Sequence, residues 1–205
     1  MRPRLLVVLA FVATLVAPAA AHAQQRPAQL LIGFTAAHMN FDSPDVLNTS
    51  WRGNLTFGID FGLPLFPEDS PVQLRGEAML VARGGHVDYG AFIEKVKLLY
   101  IDVASLIDWN IVPAAGDHGV HLLFGPSFGI RTSVASSING IAIDTTGTYR
   151  RWDVGLALGT NFTVINKKLD VQALYIEGLQ NIIINGSAKA RNQTLLIMVL
   201  PTIWR

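Results

Sequence analysis

The chain has 205 residues, of which 50% are hydrophobic and only 15% charged, with a formal net charge of +1 and no cysteine. This length suits one domain, and the charged fraction is well below the roughly 25% usual for soluble domains. The absence of cysteine excludes disulfides, thiolate metal centres and a cysteine nucleophile, and without a basic stripe nucleic acid is an unsuitable partner.

The first element is an export signal. Arg2 and Arg4 open a short basic start, and Leu5 to Val16 form an apolar run too short for a spanning helix. Pro18 and the small-x-small triplet Ala21-His22-Ala23 follow. This order predicts cleavage after Ala23, so that residues 1–23 are a signal peptide and 24–205 the mature domain. Losing Arg2 and Arg4 turns the net charge slightly negative.

Beyond this segment the recurrent pattern is period two, which gives a strand two chemically different faces. From Trp51 to Gly62, Trp51, Gly53, Leu55, Phe57, Ile59 and Phe61 share one face. Arg52, Asn54, Thr56, Gly58, Asp60 and Gly62 share the other. Val120–Arg131 and Trp152–Thr163 alternate in the same way. The second face is rich in Gly, Ala, Ser and Asn, where a soluble sandwich would carry Lys, Glu and Thr. Further strands are predicted near 29–36, 72–83, 95–109, 168–178 and 191–203. The fold class that follows is all-β: a closed, antiparallel, up-and-down transmembrane β-barrel of about eight strands, porin-like, with its apolar face on lipid and a polar lumen. Pro126 and Pro201 each remove a ladder donor and mark bulges or strand ends.

The connections 37–50, 84–94, 132–148 and 179–190 are predicted to be long outer loops. Those at 63–71, 110–118 and 164–167 are short periplasmic turns, the last around Asn166. Trp51 and Trp152 then fall at outer strand ends and Trp109 and Trp204 at periplasmic ends, as aromatic residues at both lipid interfaces.

Several segments resemble the PorT-like outer-membrane β-barrel family. They are VQLRGEAMLVARGG from Val72, YIDVASLI from Tyr100, LLFGPSFGI from Leu122, WDVGLALGTNF from Trp152 and LDVQALYIEGLQNI from Leu169. They occur in the family's order over most of the mature chain. Ala104 stands where the family usually has Pro, and Trp204-Arg205 replaces a terminal aromatic. The resemblance implies a bacterial outer-membrane location and a barrel, with little chemistry attached.

The alternation directs Arg75, Glu77, Arg83, Asp102, Arg131 and Asp153 into the lumen, because a charge facing lipid costs a few kcal/mol near the midplane. Their expected role is a structural plug of ion pairs; the sharper reading is a selective pore or a catalytic cluster. Eight strands enclose room for side chains or one small ligand. Neither a catalytic residue nor a cofactor is expected. An acyl-transferring or lipid-hydrolysing barrel would need a nucleophile beside a histidine; of His38, His86, His118 and His121 in the mature chain, His38 and His86 lie near outer strand ends within reach of headgroups, but no flanking signature ties either to a serine. His38, His86 and Asp88 make a poor metal set on loops, and Gly84-Gly85 lacks the Lys-Ser/Thr of a phosphate loop. The Asn-x-Ser/Thr triplets at Asn48, Asn54, Asn161, Asn185 and Asn192 are incidental.

The expected function is therefore a structural, adhesive or partner-binding role carried by the outer loops. The expected partners are outer-membrane lipid and a surface glycan or protein. Two alternatives stand beside it: a soluble periplasmic lipocalin-like barrel with an apolar ligand, whose faces would be reversed, and a lipid-modifying barrel enzyme.

Overall fold

The computed structural model describes residues 28–63, 66, 70–112, 119–145, 147–165, 168–184 and 188–203. The signal peptide and its cleavage site, His118, Asn166, Asn185 and Trp204 lie outside the described residues.

Ten strands follow in chain order: β1 (Gln29–Asp42), β2 (Asn48–Ser50), β3 (Arg52–Leu63), β4 (Val72–Asp88), β5 (Ile93–Val112), β6 (Gly119–Ile138), β7 (Ile141–Ile143), β8 (Trp152–Ile165), β9 (Leu169–Gly178) and β10 (Lys189–Pro201). Eight of them form a closed antiparallel ring in the order β1-β3-β4-β5-β6-β8-β9-β10. The seam joins the first and last strands, from Ile32 opposite Val199 to Asp42 opposite Lys189. Closure leaves no free strand edge within the ring, the condition for strands to stand in hydrocarbon. Pro126 sits within β6, and the β5–β6 ladder skips the pairs beside it, between Ala104–Ser127 and Ile107–Phe124.

The alternating faces point as the sequence predicts. Leu55, Phe57, Ile59, Leu156, Leu158, Ile101 and Ile197 are exposed on the outer wall. The reversed faces of a lipocalin-like barrel are therefore absent.

Two expectations need correcting. The outer connections are shorter than the sequence suggests, because β4, β5 and β6 run on past the ring. Their ladders continue to Asp88 opposite Ile93 and Glu94 opposite Ile138. The predicted loop 84–94 is thus mostly strand, with a turn at Tyr89–Phe92. Within 132–148, β6 and β7 form a hairpin around Asn139 and Gly140, at φ 50° and 87°. Two successive positive φ values are the requirement of a type I′ turn, which Asn-Gly meets at little steric cost. With β2 on β4 and β7 on β6, the outer end becomes a five-stranded sheet, β2-β4-β5-β6-β7.

The second correction concerns the lumen, which is layered instead of polar throughout. Leu31, Met79, Val81, Leu106, Leu123, Leu174, Leu196 and Met198 turn inward and are 0–2% exposed. In β4 the apolar pair Met79 and Val81 separates Glu77 from Arg83, and in β5 Ala104 and Leu106 separate Asp102 from Asp108. The reason is size: an eight-stranded ring is narrow enough for facing side chains to meet, and apolar ones that meet are removed from water at about 25 cal/mol per Å².

Candidate functional site

Below the apolar layer, towards the short connections, a polar network surrounds Arg75. Its Nε donates to Asp60 Oδ1 at 3.0 Å, Nη1 to Asp108 Oδ2 at 3.4 Å and Nη2 to Gln172 Oε1 at 3.3 Å. Glu77 Oε1 lies 3.9 Å from Nη2 and accepts from Gln172 Nε2 at 2.8 Å. His121 Nδ1 approaches Asp108 Oδ1 at 2.6 Å. Asp170 accepts from Gln29 at 3.2 Å and from Asn161 at 3.1 Å in the same layer of the strands. Buried charges persist only when paired and hydrogen-bonded, and Arg75 and Glu77 are fully buried.

Above the apolar layer the pattern repeats around Arg83. Its Nη1 donates to Asp153 Oδ2 at 2.7 Å and its Nη2 to Asp102 Oδ2. Asn192 donates to the same Asp153 oxygen at 2.7 Å. The guanidinium carbon stands 5.0 Å from the centroid of the Tyr100 ring, within cation–π range. Gly129 opposes Asp102, and a Cβ there would meet the Tyr100 ring at 3.0 Å and Asp102 Oδ2 at 3.1 Å, so the missing side chain makes room for this cluster. Arg131 is half-buried, with Nη1 donating to the Tyr149 carbonyl at 2.6 Å. A second apolar cluster closes the outer mouth, where Tyr149, Ile182 and Ile183 from two outer connections pack with Met39, Val87, Val96 and Leu98.

Five of the six charged residues expected in the lumen are thus brought into two clusters, with Arg131 nearer the rim. Asp60, Asp108, Asp170, Gln172 and Asn192 belong with them, although the sequence reading did not single them out. Parity was the available signal: Asp108 shares a face with Asp102, and Asp60 sits on the small, polar face of β3.

On the outside wall near the outer end, His38 joins three strands. Its Nδ1 lies 3.2 Å from Gln193 Oε1 and its Nε2 2.6 Å from Thr49 Oγ1. Its ring stacks on Trp51 at 5.2 Å. Gln193 Nε2 continues to Glu177 at 3.4 Å, and Tyr175 donates to the same carboxylate. A proton on Nδ1 leaves Nε2 to accept from the Thr49 hydroxyl, the relation of a base to a nucleophile. The Thr49 amide, however, donates to Asn48 Oδ1 at 2.8 Å, so the donor that a nucleophile's own residue commonly lends to an oxyanion is engaged elsewhere. His86 faces outward on β4 opposite Lys95, and partial burial followed by the charges of Arg52 and Lys95 lowers its pKa below the ordinary 6.5. Among the described residues no three His, Asp or Glu side chains converge as a metal set.

Trp51, Trp109 and Trp152 are all about half-exposed, at 48%, 48% and 46%. Trp152 opens β8 at the outer end, while Trp109 lies opposite Val72 at the end of the short connections.

No curated protein matches the sequence. Among solved structures, the chain is similar to Ail, the attachment invasion locus protein of Yersinia pestis, at 13% identity and TM-score 0.44, covering 87% of this chain and 99% of that one. It is also similar to Neisserial surface protein A, at 13% identity and TM-score 0.43 over 85% and 97%. A third similarity is to the outer membrane enzyme PagL, at 9% identity and TM-score 0.46 over 82% and 99%. The family model for the outer membrane protein beta-barrel domain matches residues 22–183. The chain belongs to that family, a small β-barrel of the bacterial outer membrane.

Proposed function

We propose that the chain is a non-enzymatic outer-membrane barrel whose outer end binds a partner at the cell surface, with the lumen clusters acting as a structural plug. The carrying observation is where apolar surface is left uncovered. Ile141 and Leu47, at 73% and 70%, are the most exposed large hydrophobic side chains among the described residues. Neither belongs to the ring strands that face lipid: Ile141 is in β7, and Leu47 is tied by its amide to the Asp88 carbonyl at 2.8 Å beside the β4–β5 turn. Apolar side chains held out on a rigid sheet are a common mark of a protein-binding surface. A protein partner fits this better than a glycan.

The test is binding of surface proteins to the barrel in lipid nanodiscs, comparing wild type with Leu47→Ser/Ile141→Ser. Partner capture that the double variant loses, with the gel mobility shift on boiling intact, supports the reading. Equal capture by both forms refutes it.

The five strand motifs support a finer assignment to the PorT-like group, and the basic start, apolar run and Ala-His-Ala triplet support maturation at Gln24. Amino-terminal sequencing of protein from outer membranes that begins elsewhere would overturn the second. A lipid-modifying enzyme is the second reading, favoured by the 2.6 Å contact between Thr49 and His38 and weakened by the engaged Thr49 amide.

A further inference from the structure

The outer hairpin leaves one strand edge uncovered. Among the described residues β7 pairs with β6 alone, from Ile138 opposite Ile141 to Ser136 opposite Ile143. In a two-residue hairpin the residues flanking the turn exchange both backbone hydrogen bonds, and bonded pairs then alternate with unbonded ones. Ile141 and Ile143 therefore bond to β6, while the N–H and C=O of Ala142 point away from it. Sheets usually guard such an edge with a charge, a proline or a bulge. Ile141-Ala142-Ile143 carries none of these, and Ile141 and Ala142 are exposed.

The segment reads the same in both directions. Laid antiparallel on a second copy with Ala142 opposite Ala142, the two alanines exchange both hydrogen bonds. Ile141 of each copy then meets Ile143 of the other at the closer spacing of an unbonded pair. This is the reciprocal pattern of a twofold contact. No two carboxylates are opposed, since Asp144 falls opposite Gly140.

Symmetry decides where the second copy stands. The twofold axis of an antiparallel strand pair is perpendicular to its sheet. The outer sheet continues the β4-β5-β6 wall, and a barrel wall stands along the membrane normal, so the axis lies in the membrane plane and inverts the second barrel. Two barrels inserted alike in one membrane cannot meet in this way, whereas barrels on two facing membranes can. Ile130 is level with Trp152, and the strand continues from there to Ile138 at the hairpin. At about 3.3 Å per residue and a tilt of about 40°, this lifts the turn roughly 20 Å above the headgroup level. Three residues bury far less than the about 1,200 Å² of a stable interface, so adhesion needs many such contacts acting together. We propose that β7 pairs antiparallel with β7 of a second copy on a facing membrane, which makes the barrel a self-adhesin. The inference rests on the reading of the outer end as a protein-binding surface and names a second copy of this chain as the partner.

The test is clustering of phosphatidylcholine vesicles in two colours, loaded with protein purified from outer membranes. Clustering across colours is expected only when both carry protein, and to rise steeply with protein density. Ala142→Pro removes the outward N–H and leaves the bonds to β6 in place; it is expected to reduce clustering about tenfold or more, the scale of two lost hydrogen bonds. Ala142→Ser keeps the backbone and is expected to cluster as wild type. Three results would overturn self-pairing: wild-type vesicles that stay apart at every density, capture of empty vesicles, or equal clustering by Ala142→Pro and Ala142→Ser with the gel shift on boiling intact. If self-pairing fails while capture of other surface proteins persists, only the identity of the partner is rejected; loss of both rejects the protein-binding reading as well.

Discussion

Gln172 on β9 donates to Glu77 on β4 at 2.8 Å, although these two strands stand diametrically opposite in the ring. The bond spans the lumen at its polar waist, and the apolar layer lies directly above it. An ion entering from the periplasmic side would have to break this bond and then leave its hydration behind among leucines. Purified protein in planar bilayers is expected to give no stepwise current. Regular steps above the background of protein-free membranes would contradict the closed lumen.

Arg83 compensates both Asp102 and Asp153 in a place where all three side chains are out of contact with water. Removing one partner of a buried pair strands the other, at a cost of about 3–5 kcal/mol. Arg83→Ala should therefore lower barrel stability by about that amount, measured by urea unfolding from lipid vesicles, whereas Arg83→Ala/Asp102→Asn/Asp153→Asn should recover much of it. A single variant as stable as wild type would remove this cluster from the account of what holds the lumen together.

The sequence made much of this architecture readable, for a reason visible in particular segments. Trp51–Gly62 and Trp152–Thr163 alternate between bulky and small residues, so strand, face and membrane location all follow from one pattern. The layering of the lumen was hidden because Leu122-Leu123 and Leu195-Leu196 put the same residue type on both faces, and alternation carries no information there. The outer sheet was hidden by Gly84-Gly85, which blanks the pattern in mid-strand, although Asn139-Gly140 marked a hairpin. The contact of His38 with Thr49 and Gln193 joins three strands and could emerge only from their register.

That contact allows a direct trial of the two functional readings. If His38 is a positioning residue in an interfacial hydrogen-bond belt, His38→Ala should lower stability by about 1 kcal/mol and leave the phospholipid and glycolipid composition of expressing cells unchanged. A lipid product present with wild type and lost with both His38→Ala and Thr49→Val would establish the enzyme instead.

At the outer hairpin, burial pushes the Glu94 carboxyl above its ordinary pKa of 4.5, against the opposing effect of a hydrogen bond from Tyr89. A group whose pKa is raised by folding stabilises fully below its unfolded value, and that contribution is lost as pH rises through the folded one. Protection of the amides of 86–96 against hydrogen exchange, corrected for intrinsic rates, should therefore fall as pH rises above 4.5. Glu94→Gln should flatten this dependence. His86, with its pKa lowered, acts in the opposite sense and weakens the hairpin as pH falls below 6.5, so the difference between wild type and Glu94→Gln isolates the carboxyl. An identical slope in both proteins would dismiss Glu94 as its source.

Gly125 bears on assembly. A Cβ at this position would collide with the Ser105 carbonyl oxygen on β5, and a backbone atom cannot turn aside as a side chain can. Gly125→Ala should reduce the fraction of heat-modifiable barrel recovered on refolding, with little effect on the amount of chain exported.

The seam between β1 and β10 sets the order of events in the cell. Ile32 finds Val199 only after nearly the whole mature chain has crossed the inner membrane, so the first strand to arrive must wait for the last. Until then both bear open edges, and partners other than each other can occupy them. Biogenesis is thus a matter of custody: the chain needs an escort in the periplasm for the full interval between its first strand and its last, and a copy cut short before β10 stays dependent on that escort until it is degraded.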